Sequence, residues 1–357
     1  MTAPAGDGEP ALRIAMLAPI SWRTPPSGYG PWEAVASTLS EALVASGHHV
    51  TLFAARGSAT AGRLVETVPG ALSEDPSLDA KVHEAMHVAT AFEAVSAGGF
   101  DVLHSHADLL PLAFSRLVDV PFVTTIHGLG SLETQKRVLP IWQRYADRVA
   151  YVAISDADRH PALRYAATIH HGLDASRWPA GRPGPDAPLV FFGRMHPDKA
   201  PDAAIRIARR AGVPLELAGI VHDRSYFERE VEPRIDGQTV RWLGNVEGAD
   251  RARVLGRARG LLHPVAFAEP FGLSVAEAMV CGTPVVAMRR GAMPELIEHG
   301  RTGFLVDSED AAVEAVARLG SIDRRLCRAR ARERFGAARM AQDHVDLYRR
   351  LIGARLR

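Results

Sequence analysis

The chain has 357 residues, 47% hydrophobic and 23% charged, with a net charge of +1 and a pI near 8.0. That length suffices for two medium domains with a core each. So even a charge balance argues against a nucleic-acid binder. The arginine run Arg324, Arg325, Arg328, Arg330, Arg332 and Arg334 is spaced as a solvated helix face, leaving room only for weak attraction to an anionic membrane surface.

Residues 1–10 carry neither a basic n-region nor an apolar h-region, so no signal peptide is expected. No apolar run reaches membrane-spanning length. Cys281 and Cys327 are the two cysteines, too few for a disulfide framework, so a reducing cytoplasm is the expected location.

Short apolar runs predict strands at 13–19, 50–54, 101–105, 122–126, 149–154 and 167–170, most of them separated by amphipathic helical stretches. A Gly/Pro-rich linker follows at 180–188. The pattern then restarts, with strands at 189–192, 215–218, 240–243, 260–263, 284–287 and 303–306. Strand–helix alternation implies parallel sheets with right-handed crossovers, and the restart implies two of them. The expected architecture is α/β: two Rossmann-like parallel-sheet domains, 1–180 and 181–335, facing a central cleft. A closing helix within 336–357 would pack back on the first. Ligands of such sheets bind at the carboxyl ends of the strands.

In the first domain, strand 13–19 leads into the long loop Pro25-Pro26-Ser27-Gly28-Tyr29-Gly30-Pro31-Trp32-Glu33. A dinucleotide fingerprint would place Gly-x-Gly-x-x-Gly straight after the strand. Here the turn is far longer and Glu33 takes the third glycine's place, which excludes a nicotinamide site. Gly28 and Gly30 would instead let backbone approach a phosphate or an acceptor, or simply make the loop flexible. His127 ends a strand and is expected to contact sugar. His106 stands between an acceptor-side contact and a structural role, and His104 reads as structural. No further ligand cluster accompanies them, so no metal is expected. Asp156-Ala157-Asp158 suggests a metal-binding pair, but Ser155-Asp156 between strand and helix is better explained as a helix cap.

In the second domain, strand 189–192 ends in Gly193-Arg194-Met195-His196-Pro197-Asp198-Lys199. Arg194 and Lys199 would point from one short loop toward a ligand, one forking onto phosphate oxygens and the other acting as a point charge. The chain has three lysines among 42 basic residues, so a lysine here stands out. The stretch Ala268-Glu269-Pro270-Phe271-Gly272-Leu273-Ser274-Val275-Ala276-Glu277 places two carboxylates around the start of a helix, with seven residues between them. Pro270 suits the first helical position. The N–H groups of Phe271, Gly272 and Leu273 would then form an anion site at the positive end of the helix dipole. Glutamates at a helix start are often merely solvated, but the apolar wrapping here makes a carboxylate expensive unless it meets a partner.

Together these segments resemble the family-4 retaining glycosyltransferases of the GT-B class. The likeness is most specific from Phe267 to Asp307, including Gly291-Ala292-Met293-Pro294-Glu295 and Gly300-Arg301-Thr302-Gly303-Phe304. Gly193-Arg194 with Lys199, and His171-Gly172-Leu173-Asp174, fit the same family. Gly30-Pro31-Trp32-Glu33 departs from it, standing where many members have a double glycine, a small residue and Glu. The first domain is also similar to compact bacterial members that glycosylate small molecules.

The resemblance implies a hexosyltransferase with an acceptor-side first domain and a nucleotide-sugar-binding second domain. It places Glu277 on the ribose hydroxyls, Glu269 on the donor sugar, and the N–H groups of Phe271, Gly272 and Leu273 on sugar or diphosphate. It sets Arg194 and Lys199 on the leaving diphosphate and the base near Val246. It implies UDP as the usual nucleotide, a small-molecule acceptor, no metal cofactor and retention by front-face attack. An epimerase of the same fold, or a non-catalytic subunit, would share the donor site. The oligomeric state is left open at this level.

Overall fold

The structure, a computed structural model, describes residues 10–130 and 132–355. The described residues form thirteen strands in two parallel sheets. Seven belong to the first: β1 (Arg13–Leu17), β2 (His49–Ala55), β3 (Arg63–Val68), β4 (Val102–Ser105), β5 (Phe122–Ile126), β6 (Val149–Ala153) and β7 (Tyr165–Thr168). Their order is β3-β2-β1-β4-β5-β6-β7. The second holds β8 (Leu189–Phe192), β9 (Leu215–Ala218), β10 (Val240–Trp242), β11 (Gly260–His263), β12 (Val285–Met288) and β13 (Gly303–Val306), ordered β10-β9-β8-β11-β12-β13. In each sheet the strand order reverses beside the first strand, between β1 and β4 and between β8 and β11. Those are the switch points at which such sheets open a ligand crevice.

Five strands of the second sheet, β8, β9, β11, β12 and β13, are buried throughout, and they read in sequence as the short apolar runs expected of a doubly covered parallel sheet. Strand β3 has no counterpart among the expected strands. It is an edge strand whose sequence Arg-Leu-Val-Glu-Thr-Val mixes charge with apolar residues, so it carries no buried-strand signature. One face of the first sheet packs on the helix Ala80–Ser96 around Phe53, Phe92, Phe122, Trp142 and Tyr151.

The chain divides into two compact units. The first runs to Ser155, resumes over Arg159–Gly172 and takes in the final helix, Ala337–Arg355; the second holds Asp156–Asp158 and Leu173–Gly336. The division therefore falls at Gly172, earlier than the Gly/Pro-rich stretch 180–188. That stretch lies inside the second unit because Gly181 donates to the Cys281 carbonyl at 2.9 Å and lies against Gly256 too closely for any side chain. The final helix packs on helix Pro31–Ala45 of the first unit, and its Tyr348 hydroxyl meets His104 Nδ1 at 2.6 Å. No described helix is long and apolar enough to cross a membrane.

Candidate active site

At the switch point of the second unit two loops converge. The loop after β8 carries Arg194 and Lys199, and the loop after β11 carries Glu269. They are tied together by the Ala266 N–H on the Asp198 carbonyl, 2.7 Å. The first loop bends sharply because Gly219, at φ +138°, lets the backbone after β9 pass against Gly193, where a Cβ would sit 1.9 Å from the Gly193 carbonyl oxygen. The second loop is pressed equally closely by Gly291, whose Cβ would lie 2.3 Å from the backbone N and O of Glu269. Both glycines are there so that backbone can approach backbone.

Glu269 is 7% exposed and forms an ion pair with Lys199, while His263, the last residue of β11, brings Nε2 to 3.4 Å. Burial alone would raise its pKa, but His263 and the Lys199 charge outweigh burial and hold it down to about 2. Burial lowers His263 in turn, against the pull of Glu269. Lys199 also lies over the Phe267 ring at 4.9 Å. Arg194 is half-buried and, among the described residues, makes no hydrogen bond or ion pair. A half-buried cation without a protein carboxylate is poised for an anion from outside.

The helix begins later than expected. It spans Leu273–Val280, with Gly272 as N-cap at φ +93°. Pro270 is therefore in the preceding loop and not at the first helical position, because Gly272 takes left-handed backbone angles that a helix begun at Pro270 could not contain. Val275 and Ala276 already donate to the Gly272 carbonyl, so the N–H groups of Leu273 and Ser274 are the outward ones of the first turn. The Phe271 side chain is buried edge-on against Phe335. Glu277 lies one turn into the helix, 8% exposed, where its Oε2 accepts from Arg251 Nε at 2.8 Å and from a second Arg251 nitrogen. Burial raises its pKa and Arg251 opposes the rise. Arg251 stacks on Phe192 at 4.3 Å. The turn Trp242–Val246 follows β10, with Gly244 at φ +74° and Val246 half-buried.

Arg251 and His263 are the partners that sequence reasoning missed. Arg251 sits in an arginine-rich helix with nothing to distinguish it from its neighbours. His263 ends an expected strand, the same signal that singles out His127.

In the first unit, histidines from distant positions meet at the carboxyl edge of the sheet. His127 Nε2 lies 3.0 Å from His106 Nδ1, and its ring stacks on Trp32 at 5.3 Å and 16° and packs against His171 at 5.2 Å. His104 bridges Tyr348 and Thr125, and His344 lies 5.1 Å away. His106 is buried, so its contact is with His127 and not with a ligand at the surface. Among the described residues no set of three or more His, Cys, Asp or Glu is arranged to hold a metal ion. Gly30 is buried at the N-cap of helix Pro31–Ala45, and Pro26 and Glu33 occupy the space a side chain would need. Its glycine is thus explained by the loop's own packing, while Gly28 lies half-buried in the same loop. Glu33 is buried as well, accepting from the Trp22 N–H at 3.0 Å; it braces the loop. At Asp156 and Ala157 the backbone N–H groups donate to the Glu295 carboxylate at 2.9 and 2.7 Å. The segment forms no helix, so the expected cap is replaced by a carboxylate from the same unit.

Comparison with known proteins accords with this geometry. The sequence pattern of Glycosyltransferase Family 4 matches residues 33–177, and that of Glycosyl transferases group 1 matches residues 187–321. The D-inositol 3-phosphate glycosyltransferase of Saccharomonospora viridis is 31% identical over 313 residues, covering 72% of each chain. Among solved structures, sucrose-phosphate synthase from Thermosynechococcus elongatus superposes with a TM-score of 0.78 at 22% identity, over 96% of this chain and 100% of its own. Anabaena HepE in complex with UDP-glucose superposes with a TM-score of 0.69 at 18% identity, over 95% and 100%. The chain belongs to the family-4 glycosyltransferases and has their GT-B fold.

Proposed function

We propose that the chain transfers a hexose from UDP-hexose to a small-molecule acceptor with retention of configuration and without a metal ion. The observation that carries this reading is the grouping of Arg194, Lys199, Glu269 and the helix start Leu273–Ser274 at the switch point, with Glu277 four residues further on. A diphosphate fits cations and outward N–H groups, and a carboxylate fits vicinal hydroxyls. UDP is the nucleotide seen with a sugar in Anabaena HepE. As the glycosidic bond breaks, charge grows on the leaving phosphate, and preplaced cations stabilise that state more than the ground state. The leaving phosphate then takes the acceptor proton on the face it departs from. Two buried, unbonded cysteines suit a cytoplasmic enzyme.

UDP at a hundred times its dissociation constant is expected to stabilise the protein by about 2.7 kcal/mol in a thermal-shift assay. Calorimetry on two variants assigns the carboxylates. Glu277→Ala is expected to weaken UDP binding by about 1.5–3 kcal/mol, the usual loss of a charged hydrogen bond. Glu269→Ala should keep UDP affinity and depress transfer. The reverse pattern would turn the donor around in the site. Transfer should also persist in EDTA; complete loss that magnesium restores would overturn the metal-free mechanism.

A further inference from the structure

The switch point of the first unit differs in chemistry from that of the second. Loops after β1, β4 and β5 meet there, bringing Trp32, His106 and His127 together. Trp32 is large, apolar and 37% exposed, with one face of its indole covered by the His127 ring. The loop that leads into its helix is held in place: Glu33 accepts from the Trp22 N–H, His87 bonds the Ala18 carbonyl at 2.8 Å, and Pro31 stiffens the helix start. Exposing an indole in a braced position at a ligand crevice costs solvation unless a ligand covers it.

The imidazoles of this cluster are uncharged. Burial holds His104, His106, His127, His171 and His344 below their ordinary pKa, so the imidazoles are neutral near pH 7. Arg23, in the same loop, is committed to Glu74 at 2.5 Å. Arg339 is committed to the carbonyls of His170 and His171 and to Asp343. Neither Arg23 nor Arg339 is thus left to meet a phosphate or carboxylate on the acceptor.

We propose that the outer face of Trp32 is the floor of the acceptor site and that the acceptor lays an uncharged ring, aromatic or pyranose, against it. A flat ring gains stacking and CH–π contact on an indole that is already fixed, with little ordering cost. Its free indole face makes Trp32 the specificity-determining residue of this chain. The inference rests on the donor reading given above.

The test is calorimetry on the full chain saturated with UDP, using p-nitrophenyl β-D-glucopyranoside, methyl β-D-glucopyranoside and p-nitrophenyl phosphate as probes. The wild-type chain is expected to bind the aryl glucoside, and to bind the phosphate at least about tenfold more weakly despite its identical ring. Trp32→Ala should weaken the aryl glucoside about tenfold, and Trp32→Phe should stay within about threefold of wild type. Trp32→Leu, which keeps apolar bulk without a π face, should weaken the aryl glucoside about as much as Trp32→Ala, whereas a residue acting only through its bulk would be rescued by leucine, and thermal melts confirm that the variants are folded. If methyl glucoside shows the same dependence on Trp32, the pyranose is the stacked ring; if only the aryl glucoside does, the aromatic ring is. Equal affinity of Trp32→Ala and wild type, no glucoside binding by wild type at millimolar concentration, or tighter binding of the phosphate would overturn the proposal. Failure of wild type to bind UDP would instead overturn the donor reading beneath it.

Discussion

Replacing Lys199 by alanine is expected to cost both turnover and stability, whereas replacing Arg194 should cost turnover alone. Sequence reasoning treats the two cations alike, as phosphate ligands on one loop. In the folded unit they differ. Lys199 is the ion-pair partner of Glu269, a carboxylate 7% exposed, and Arg194 has no partner among the described residues. Removing one member of a buried pair leaves the other charge uncompensated, at about 3–5 kcal/mol. Lys199→Ala should therefore melt well below wild type, and Arg194→Ala close to it. Both should lose about 100-fold or more in turnover, as when one preplaced donor is removed from a developing anion. The double variant Lys199→Ala/Glu269→Gln separates the two effects. It should recover much of the stability, because no buried charge is orphaned, and none of the activity. Unchanged melting of Lys199→Ala would show that the ion pair is not formed in solution.

The second large effect concerns acid. In the first unit His87, His104, His106, His127, His171 and His344 are all held below the ordinary histidine pKa of 6.5 by burial, His87 and His344 down to about 4 and His171 to about 3. The close approaches within the cluster add to the effect, since a proton on one imidazole disfavours a proton on the next. Below pH 6.5 the unfolded chain takes up protons that the folded chain refuses. Stability is therefore complete above that pH and falls as the pH drops toward the folded values. Each histidine contributes a slope approaching about 1.4 kcal/mol per pH unit once both states have parted. Several acting together should lower the melting temperature steeply between pH 7 and pH 5. Hydrogen exchange at pH 5.5 should show the loss first in the β4, β5 and final-helix segments. The second unit should resist longer. Its Glu269, held to about 2, contributes stability that is full above the ordinary value of 4.5 and is lost only as the pH falls from there toward 2. A melting temperature that stays flat from pH 7.5 to 5.5 would sink the claim that these imidazoles are buried and neutral.

Much of this molecule can be read from local sequence, for a definite reason. Strands of a doubly covered parallel sheet must be apolar on both faces, so β5, β8, β9, β11 and β13 stand out as short apolar runs with the bounds expected of them. The positions of Glu269, Glu277, Arg194 and Lys199 are equally legible, because charged side chains beside apolar strand ends and a helix start stand out from their surroundings. Local pattern fails where a choice depends on what lies opposite in space. The edge strand β3 is polar enough to pass for a loop until it pairs with β2. The helix starts at Leu273 and not at Pro270 because Gly272 takes left-handed backbone angles, and Glu269 just before it is held by Lys199, seventy residues back in sequence. Arg251 opposite Glu277, His263 beside Glu269, and the meeting of His104, His106, His127, His171 and His344 depend on strand order and on where the helices pack over the sheets. Strand order is set by which crossovers close over which core, and no spacing within a single segment encodes it. Which charged residues stand at strand ends and helix starts is thus written locally, and their partners, which set charge and protonation, come from the packing of distant segments.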